Sequence, residues 1–279
     1  MDEQHMVTLA DENKMPLVGF GTYKITDQET MDQAIGTAYN AGYRLFDTAQ
    51  FYNNEQVLGM ALQHNGINRE QVFITDKVAE PNQGYELTRS SVDFSLQQLN
   101  TDYIDLLLIH WPVNTLFFDT WRAFEDLKQA GKVRSIGVSN YNRAQLELLK
   151  TQAHEMPVVN QIENHPYLSQ APLVEFDHTE EIATQAWSPL GRGVVLSNPM
   201  LQTIANHHQR SVAQIILRWH IQRGIAVIPK SATASRIQEN YQIFDFELST
   251  DEMDMINLLN KNQRTGNDPE MVYELGKQY

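Results

Sequence analysis

With 279 residues, 42% of them hydrophobic and none of them cysteine, the chain has the length and core-forming content of a single α/β barrel domain spanning 1–279. Disorder, disulfides, thiolate zinc sites and cysteine nucleophiles are thereby excluded. The 21 Lys and Arg against 35 Asp and Glu give a formal net charge of −14, a surface that repels a phosphate backbone, so nucleic acid is not expected as a partner and any bound phosphate requires a local basic island.

The stretch MVTLADENKMPLV reads as a β-hairpin turning at ADEN, an extra element able to cover a barrel floor. Short β-type runs then recur between amphipathic stretches. PLVGFGT (16–22) precedes 28–41, RLFDTA (44–49) precedes 54–65, VFITDKV (72–78) precedes 86–99, and YIDLLLIH (103–110) precedes 119–130. RSIGVSN (134–140) precedes 143–153, VVNQIEN (158–164) and IATQAWS (182–188) follow, and 211–223 leads into GIAVIPKS (224–231). Several runs are almost wholly apolar, as strands buried on both faces require. Helix punctuation such as QAGK and QRG closes the segments between them. STDEMDMINLLN reads as an acidic helix near the C-terminus, with DFELSTDEMD its solvated start. Eight β/α alternations in one chain indicate a (β/α)8 TIM barrel rather than an open doubly wound sheet. No apolar run reaches bilayer length, and MDEQHMVTLADENK is unlike a secretory signal, so a soluble cytoplasmic protein without a membrane partner is expected.

Polar residues gather at the C-terminal strand ends: Asp47, Lys77, His110, Ser139, Asn140, Gln161, Trp187 and Lys230. That rim is where such barrels build active sites. Alternation places Leu45 with Asp47, Thr75 with Lys77, and Leu108 with His110, so each polar group continues a row that points into the barrel mouth. One such residue is ordinarily a salt-bridge partner sealing the barrel; three on consecutive strands indicate a site.

Tyr52 follows Asp47 closely. A free phenol has a pKa of about 10, and a neighbouring ammonium lowers it. Lys77 is the candidate ammonium, Asp47 its holder, and His110 the donor to a substrate oxygen. That set suits protonation of an oxygen as charge builds on it, which is carbonyl reduction, and the economical hydride donor is a nicotinamide. GFGTYK and GRGVVL lack the third glycine of G-x-G-x-x-G, which disfavours a Rossmann dehydrogenase. IPKSATASRIQEN supplies the required basic island with Lys230, Ser231 and Arg236.

The motifs GFGTYK, FDTAQFYNNE, LLLIHWP, GKVRSIGVSN, NQIENHPYL, AWSPLGRG and VIPKSATASRIQEN together resemble, in order and over nearly the whole chain, the aldo-keto reductase family. The resemblance extends most to small bacterial members of the 2,5-diketo-D-gluconate reductase and glyoxal reductase type. It implies a barrel that binds NADPH (NADP+) in extended form, with Asp47, Tyr52, Lys77 and His110 as catalytic tetrad and Tyr52 as acid. It implies contacts from Ser139, Asn140 and Gln161 to the carboxamide, with Trp187 stacked on the nicotinamide. Lys230, Ser231 and Arg236 are implied at the 2′-phosphate, Glu239 and Asn240 at the adenine. Thr22 and the SPLGRG loop, with Ser188 and Leu190, are implied at the ribose and pyrophosphate. Tyr23, Phe51 and Trp111 become aromatic walls of a pocket opened by a short C-terminal segment, for small or hydrophilic carbonyl substrates. A monomer is the family's frequent state.

The chain departs from the family's pattern twice: Ala79 stands where many members place tryptophan, and YNNE replaces YGNE, with asparagine tolerating a left-handed backbone. No metal is expected. Glu163 and His165 fall in a stretch the resemblance explains structurally, and the adjacent His207 and His208 are not expected to face one site. The rival readings are an NADP(H)-binding regulatory or structural protein, which would not need a complete tetrad, and a barrel hydrolase built on Asp47, His110 and Glu163.

Overall fold

The structure is a computed structural model and describes residues 5–275. Alternation along short strands organises the barrel. Strands β3 (Gly19–Gly21), β4 (Leu45–Asp47), β5 (Phe73–Val78), β6 (Ile104–Ile109), β7 (Val133–Ser139), β8 (Val159–Glu163), β9 (Ala183–Trp187) and β10 (Ala226–Val227) follow one another in a single parallel sheet. A parallel bridge between Val18 and Val227 closes it, with the Val227 amide donating to the Leu17 carbonyl at 2.8 Å. One alternating set, including Leu45, Phe73, Leu106, Leu108, Val159 and Ala226, packs inside the barrel. The other, including Phe46, Ile74, Leu107, Ile109, Ile136 and Val138, packs against the helices.

All eight expected strands are present. The first run divides: its opening residues end the hairpin β1 (Met6–Thr8) and β2 (Lys14–Pro16), and only its later part enters the barrel. Leu9 and Met15 from the hairpin are buried in the inner cluster. Asn13 Nδ2 donates to Ser135 Oγ at 3.0 Å, near the start of β7, so the hairpin covers the barrel floor.

Helices α1 (Gln28–Ala41), α2 (Glu55–His64), α3 (Tyr85–Leu99), α4 (Phe117–Gln129), α5 (Arg143–Lys150) and α8 (Val212–Gln222) occupy the amphipathic stretches. Helices α6 (Ala171–Thr179), α7 (Pro199–His208), α9 (Ala234–Tyr241) and α11 (Pro269–Leu275) add to them, and the acidic stretch forms α10 (Thr250–Asn257). Ser249 caps α10 in a capping box with Glu252.

One expectation fails here. His207 Nδ1 and His208 Nε2 both reach Glu252 Oε1, at 2.9 and 3.0 Å. The two rings lie 4.9 Å apart, inclined at 62°. They meet on one carboxylate of α10 because one uses its near nitrogen, Nδ1, and the other its far nitrogen, Nε2.

Candidate active site

β4 ends at Asp47, and a 3-10 turn (Gln50–Tyr52) follows, closed by Asn53 in the left-handed conformation at φ 53°. Asparagine accommodates that backbone, as expected. Gln50 fixes the turn to the exit of β5: its Oε1 accepts from the Ala79 amide at 3.1 Å, and its Nε2 donates to Ser91 and Ser95. Asn54 Nδ2 donates to the Thr22 and Ile25 carbonyls and holds the far side. Tyr52 is thereby delivered to the barrel mouth.

Lys77 is fully buried on the inner face of β5. Its Nζ donates to Asp47 Oδ1 at 2.5 Å, to the Thr48 carbonyl at 2.9 Å and to Tyr52 Oη at 3.4 Å. Gln161 Nε2 donates to Asp47 Oδ2 and to Gln185 Oε1, both at 2.7 Å. Gln185 Nε2 in turn rests on Met15 Sδ at 3.8 Å. A polar column therefore runs through the barrel interior from the hairpin to Asp47.

Burial alone would strip the proton from Lys77, but the Asp47 carboxylate and Tyr52 more than offset it and hold the ammonium above the ordinary lysine value. For Tyr52 the balance runs against the sequence expectation. Burial pushes the phenol above its ordinary value, with the Asp47 charge in support, and the ammonium of Lys77 at 3.4 Å offsets only part of this. Tyr52 is thus a protonated phenol throughout the neutral range. Burial, assisted by the charge of Lys77, pushes His110 well below its ordinary value, so its imidazole is neutral. His110 Nδ1 is buried without a partner among the described residues, leaving Nε2 as the ring nitrogen available to the cleft. The Tyr52 and His110 rings meet edge-on at 5.6 Å.

A cleft of about 850 Å³ opens at this rim. Asp47, Tyr52 and His110 line it, and Tyr23, Phe51 and Trp111 form its aromatic end. Ser139, Asn140, Gln161 and Trp187 line its middle, then Ser188 and Leu190, and Lys230, Ser231, Arg236, Glu239 and Asn240 its far end. Two predicted residues stand behind the wall. Lys77 acts from below, and Thr22, fully buried, donates to the Asp47 carbonyl at 2.9 Å rather than opening into the cleft.

The middle of the cleft is pre-ordered. Asn140, left-handed at φ 65°, donates to the His110 carbonyl at 2.9 Å and accepts from Trp187 Nε1 at 2.8 Å, fixing the indole plane. Ser139 Oγ donates to the Gln161 carbonyl at 2.8 Å. At the far end Lys230 and Arg236 are exposed and make no ion pair among the described residues, despite the acidic chain. They flank the start of α9, whose N-cap Thr233 makes no side-chain cap bond. Free helical amides and unpaired cations fit a phosphate.

Cleft-lining residues that the sequence reading did not name include Glu80, Leu196, the Ser211–Ala213 start of α8, and Asn267. The Ser211/Gln214 capping box was readable as a helix start. Asn267 was not, because the segment after α10 reaches the cleft only by tertiary anchoring. Glu163 accepts from the Thr265 amide at 2.6 Å, the Thr265 hydroxyl at 2.5 Å and the Gly266 amide at 3.1 Å. Gly266 then lies against the indole of Trp187, where a β-carbon would fall 2.4 Å from Cη2. The segment after α10 therefore closes over part of the pocket. Glu163, fully buried in this anchorage, is not free to serve a hydrolase.

An ion-paired lysine, a phenol and a neutral imidazole at the C-terminal rim place a proton-donor site at the mouth of a closed parallel barrel, not at the switch point of an open Rossmann sheet. Residues 17–261 match the aldo/keto reductase family, and the chain belongs to it, a family of NADP(H)-dependent oxidoreductases that act on carbonyls. The chain is 45% identical over 264 residues to a glyoxal reductase of Bacillus subtilis, covering 95% of this chain and 96% of that one. It superposes on a crystal structure of an aldo/keto reductase from Brucella melitensis with a TM-score of 0.88 at 48% identity, covering 91% and 99% of the two chains. A Bombyx mori aldo-keto reductase in complex with NADP gives a TM-score of 0.89 at 35% identity, with 95% of each chain covered. Among the described residues no helix is long and apolar enough to cross a membrane.

Proposed function

We propose that this protein reduces small or hydrophilic aldehydes and ketones, including glyoxals and keto-sugars, to alcohols with NADPH, and that Tyr52 is the proton donor. The observation that carries this reading is the buried Lys77 ammonium, neutralised by Asp47 at 2.5 Å and within 3.4 Å of the Tyr52 hydroxyl at the cleft. The nicotinamide supplies a hydride to the carbonyl carbon. As that C–H bond forms, the carbonyl oxygen takes the proton of Tyr52 Oη, leaving a phenolate that Lys77 stabilises. Neutral His110 orients the carbonyl oxygen through Nε2. The raised pKa of Tyr52 keeps the proton available until charge develops on the substrate. With NADPH bound, Ser139, Asn140 and Gln161 would hold the carboxamide, Trp187 would face the ring, and Lys230, Ser231 and Arg236 would hold the 2′-phosphate, with Glu239 and Asn240 at the adenine. Ser188 and Leu190 line the path of the ribose and pyrophosphate, while Thr22 acts by fixing Asp47. The name of the Bacillus subtilis relative, a glyoxal reductase, supports glyoxals as a substrate class.

Tyr52→Phe keeps the ring and removes the proton. It should lower kcat for methylglyoxal by 10²–10⁴-fold, with NADPH affinity, read by quenching of protein fluorescence, within about threefold of wild type. Full turnover in this variant would refute the assignment.

A further inference from the structure

Glu80 is a carboxylate at the cleft that the proposed reduction does not use. It opens the 3-10 turn Glu80–Asn82 that leads out of β5, and it lines the cleft. The parallel register sets Val78 beside Ile109 and so carries Ala79 and Glu80 alongside His110 and Trp111. Two hydrogen bonds fasten that junction: the His110 amide donates to the Val78 carbonyl at 3.1 Å, and Gln83 Nε2 donates to the Trp111 carbonyl at 2.7 Å. Glu80 therefore sits at the aromatic, substrate end of the cleft, away from the basic end at Lys230 and Arg236.

One of its oxygens, Oε2, is shielded from solvent and has no hydrogen-bond partner among the described residues, so a hydroxyl in the cleft meets the carboxylate at its other oxygen, Oε1. Burial pushes its carboxyl above the ordinary glutamate value. A fold gains nothing from such a group, because a buried acceptor without a donor is destabilising. Lys24, a cation lining the same cleft, is exposed and set over the Tyr23 ring at 5.4 Å. Solvent screens that charge far more than it screens the carboxyl of Glu80.

We propose that Glu80 selects the substrate: it accepts a hydrogen bond from a hydroxyl carried near the reacting carbonyl and repels substrates that carry a carboxylate there. Hydroxyaldehydes and keto-sugars are favoured over oxo acids. This rests on the reductase reading above and names the substrate class of the same site.

The test compares kcat/KM at saturating NADPH for two pairs of substrates of equal carbon count: glyceraldehyde against propanal, and succinic semialdehyde against butanal. Glu80→Ala should lower the glyceraldehyde-to-propanal ratio about tenfold, the scale of one hydrogen bond to a charged acceptor. Glu80→Gln, which keeps an acceptor, should lower it less. Both variants should raise the succinic semialdehyde-to-butanal ratio several-fold. Glu80→Gln should also melt no lower than wild type at pH 8. A lower melting temperature would mean that Glu80 serves the fold, and would overturn the proposal. Ratios within twofold of wild type, on an enzyme that turns over propanal, overturn this proposal alone. Wild-type enzyme inactive on all four substrates overturns this proposal, and inactivity on methylglyoxal as well overturns the reductase reading with it.

Discussion

A lysine buried without a counter-ion sheds its proton, and Lys77 keeps its own because Asp47 lies 2.5 Å away in the same desolvated space. The cations at the other end of the cleft are of a different kind. Lys230 and Arg236 are exposed and gain their role only from what they flank, the uncapped start of α9. If that corner holds the 2′-phosphate, Arg236→Ala should weaken NADPH binding about 10–100-fold, the range for a charge-assisted hydrogen bond lost at a phosphate. NADH binding should change less than about threefold. Fluorescence titration with each nucleotide reads the difference, and equal losses would show that the corner does not recognise that phosphate. The residue types at both ends were legible in the sequence, because an acid, a lysine and a histidine that close apolar runs are costly to bury unless they pair with one another at a site. The direction of the Tyr52 shift was not legible. It depends on how deeply the phenol is buried relative to its distance from Lys77, and neither quantity is written in a motif.

At the scale of the elements, hydrophobic alternation, helix periodicity and helix punctuation located all eight barrel strands and seven of the helices. Helix α6 escaped because its buried face carries Asp177, while Leu173 and Val174 remain half-buried, so no clean apolar stripe marks it. Asp177 is itself anomalous. It lies in the last turn of α6, where a negative charge opposes the helix dipole, and it is fully buried. Burial pushes its carboxyl up to about 7, although Asn160 and Thr184 donate to it at 3.3 and 3.1 Å. A carboxyl with a raised pKa in the fold favours folding below the unfolded value and loses that contribution as pH rises toward 7. The rise from 3.8 to about 7 corresponds to at most about 4 kcal/mol. Asp177→Asn removes the titration, and the new amide can donate to Asn160 Oδ1, which has no partner among the described residues. The variant should be more stable than wild type by about 2–4 kcal/mol at pH 8 and nearly equal to it at pH 4. Urea unfolding across that range measures it, and parallel stability curves for the two proteins would contradict the assignment.

Across the whole molecule the two ends of the barrel divide the work. Every motif that pointed to chemistry lies at a strand end of the same rim or in the segment that follows one, which is why reading them in order was enough to assemble most of the cleft. What escaped depends on how separate chain segments are brought together in the fold. Asn267 reaches the cleft through the anchorage on Glu163, and Glu80 faces it only because β5 and β6 pair in one particular register. The floor is built by the hairpin, with Leu9 buried among Leu45, Phe73 and Leu106. Leu9→Ala would empty space in a closed, two-sided core that cannot collapse easily, at a cost of about 2–4 kcal/mol. Because the rim is assembled by other contacts, kcat/KM for a good aldehyde at 25 °C should stay within about twofold of wild type while the urea midpoint falls. A parallel loss of activity would show that floor and rim are coupled. The column from Met15 through Gln185 and Gln161 to Asp47 is the route by which a loosened hairpin would then reach the lysine.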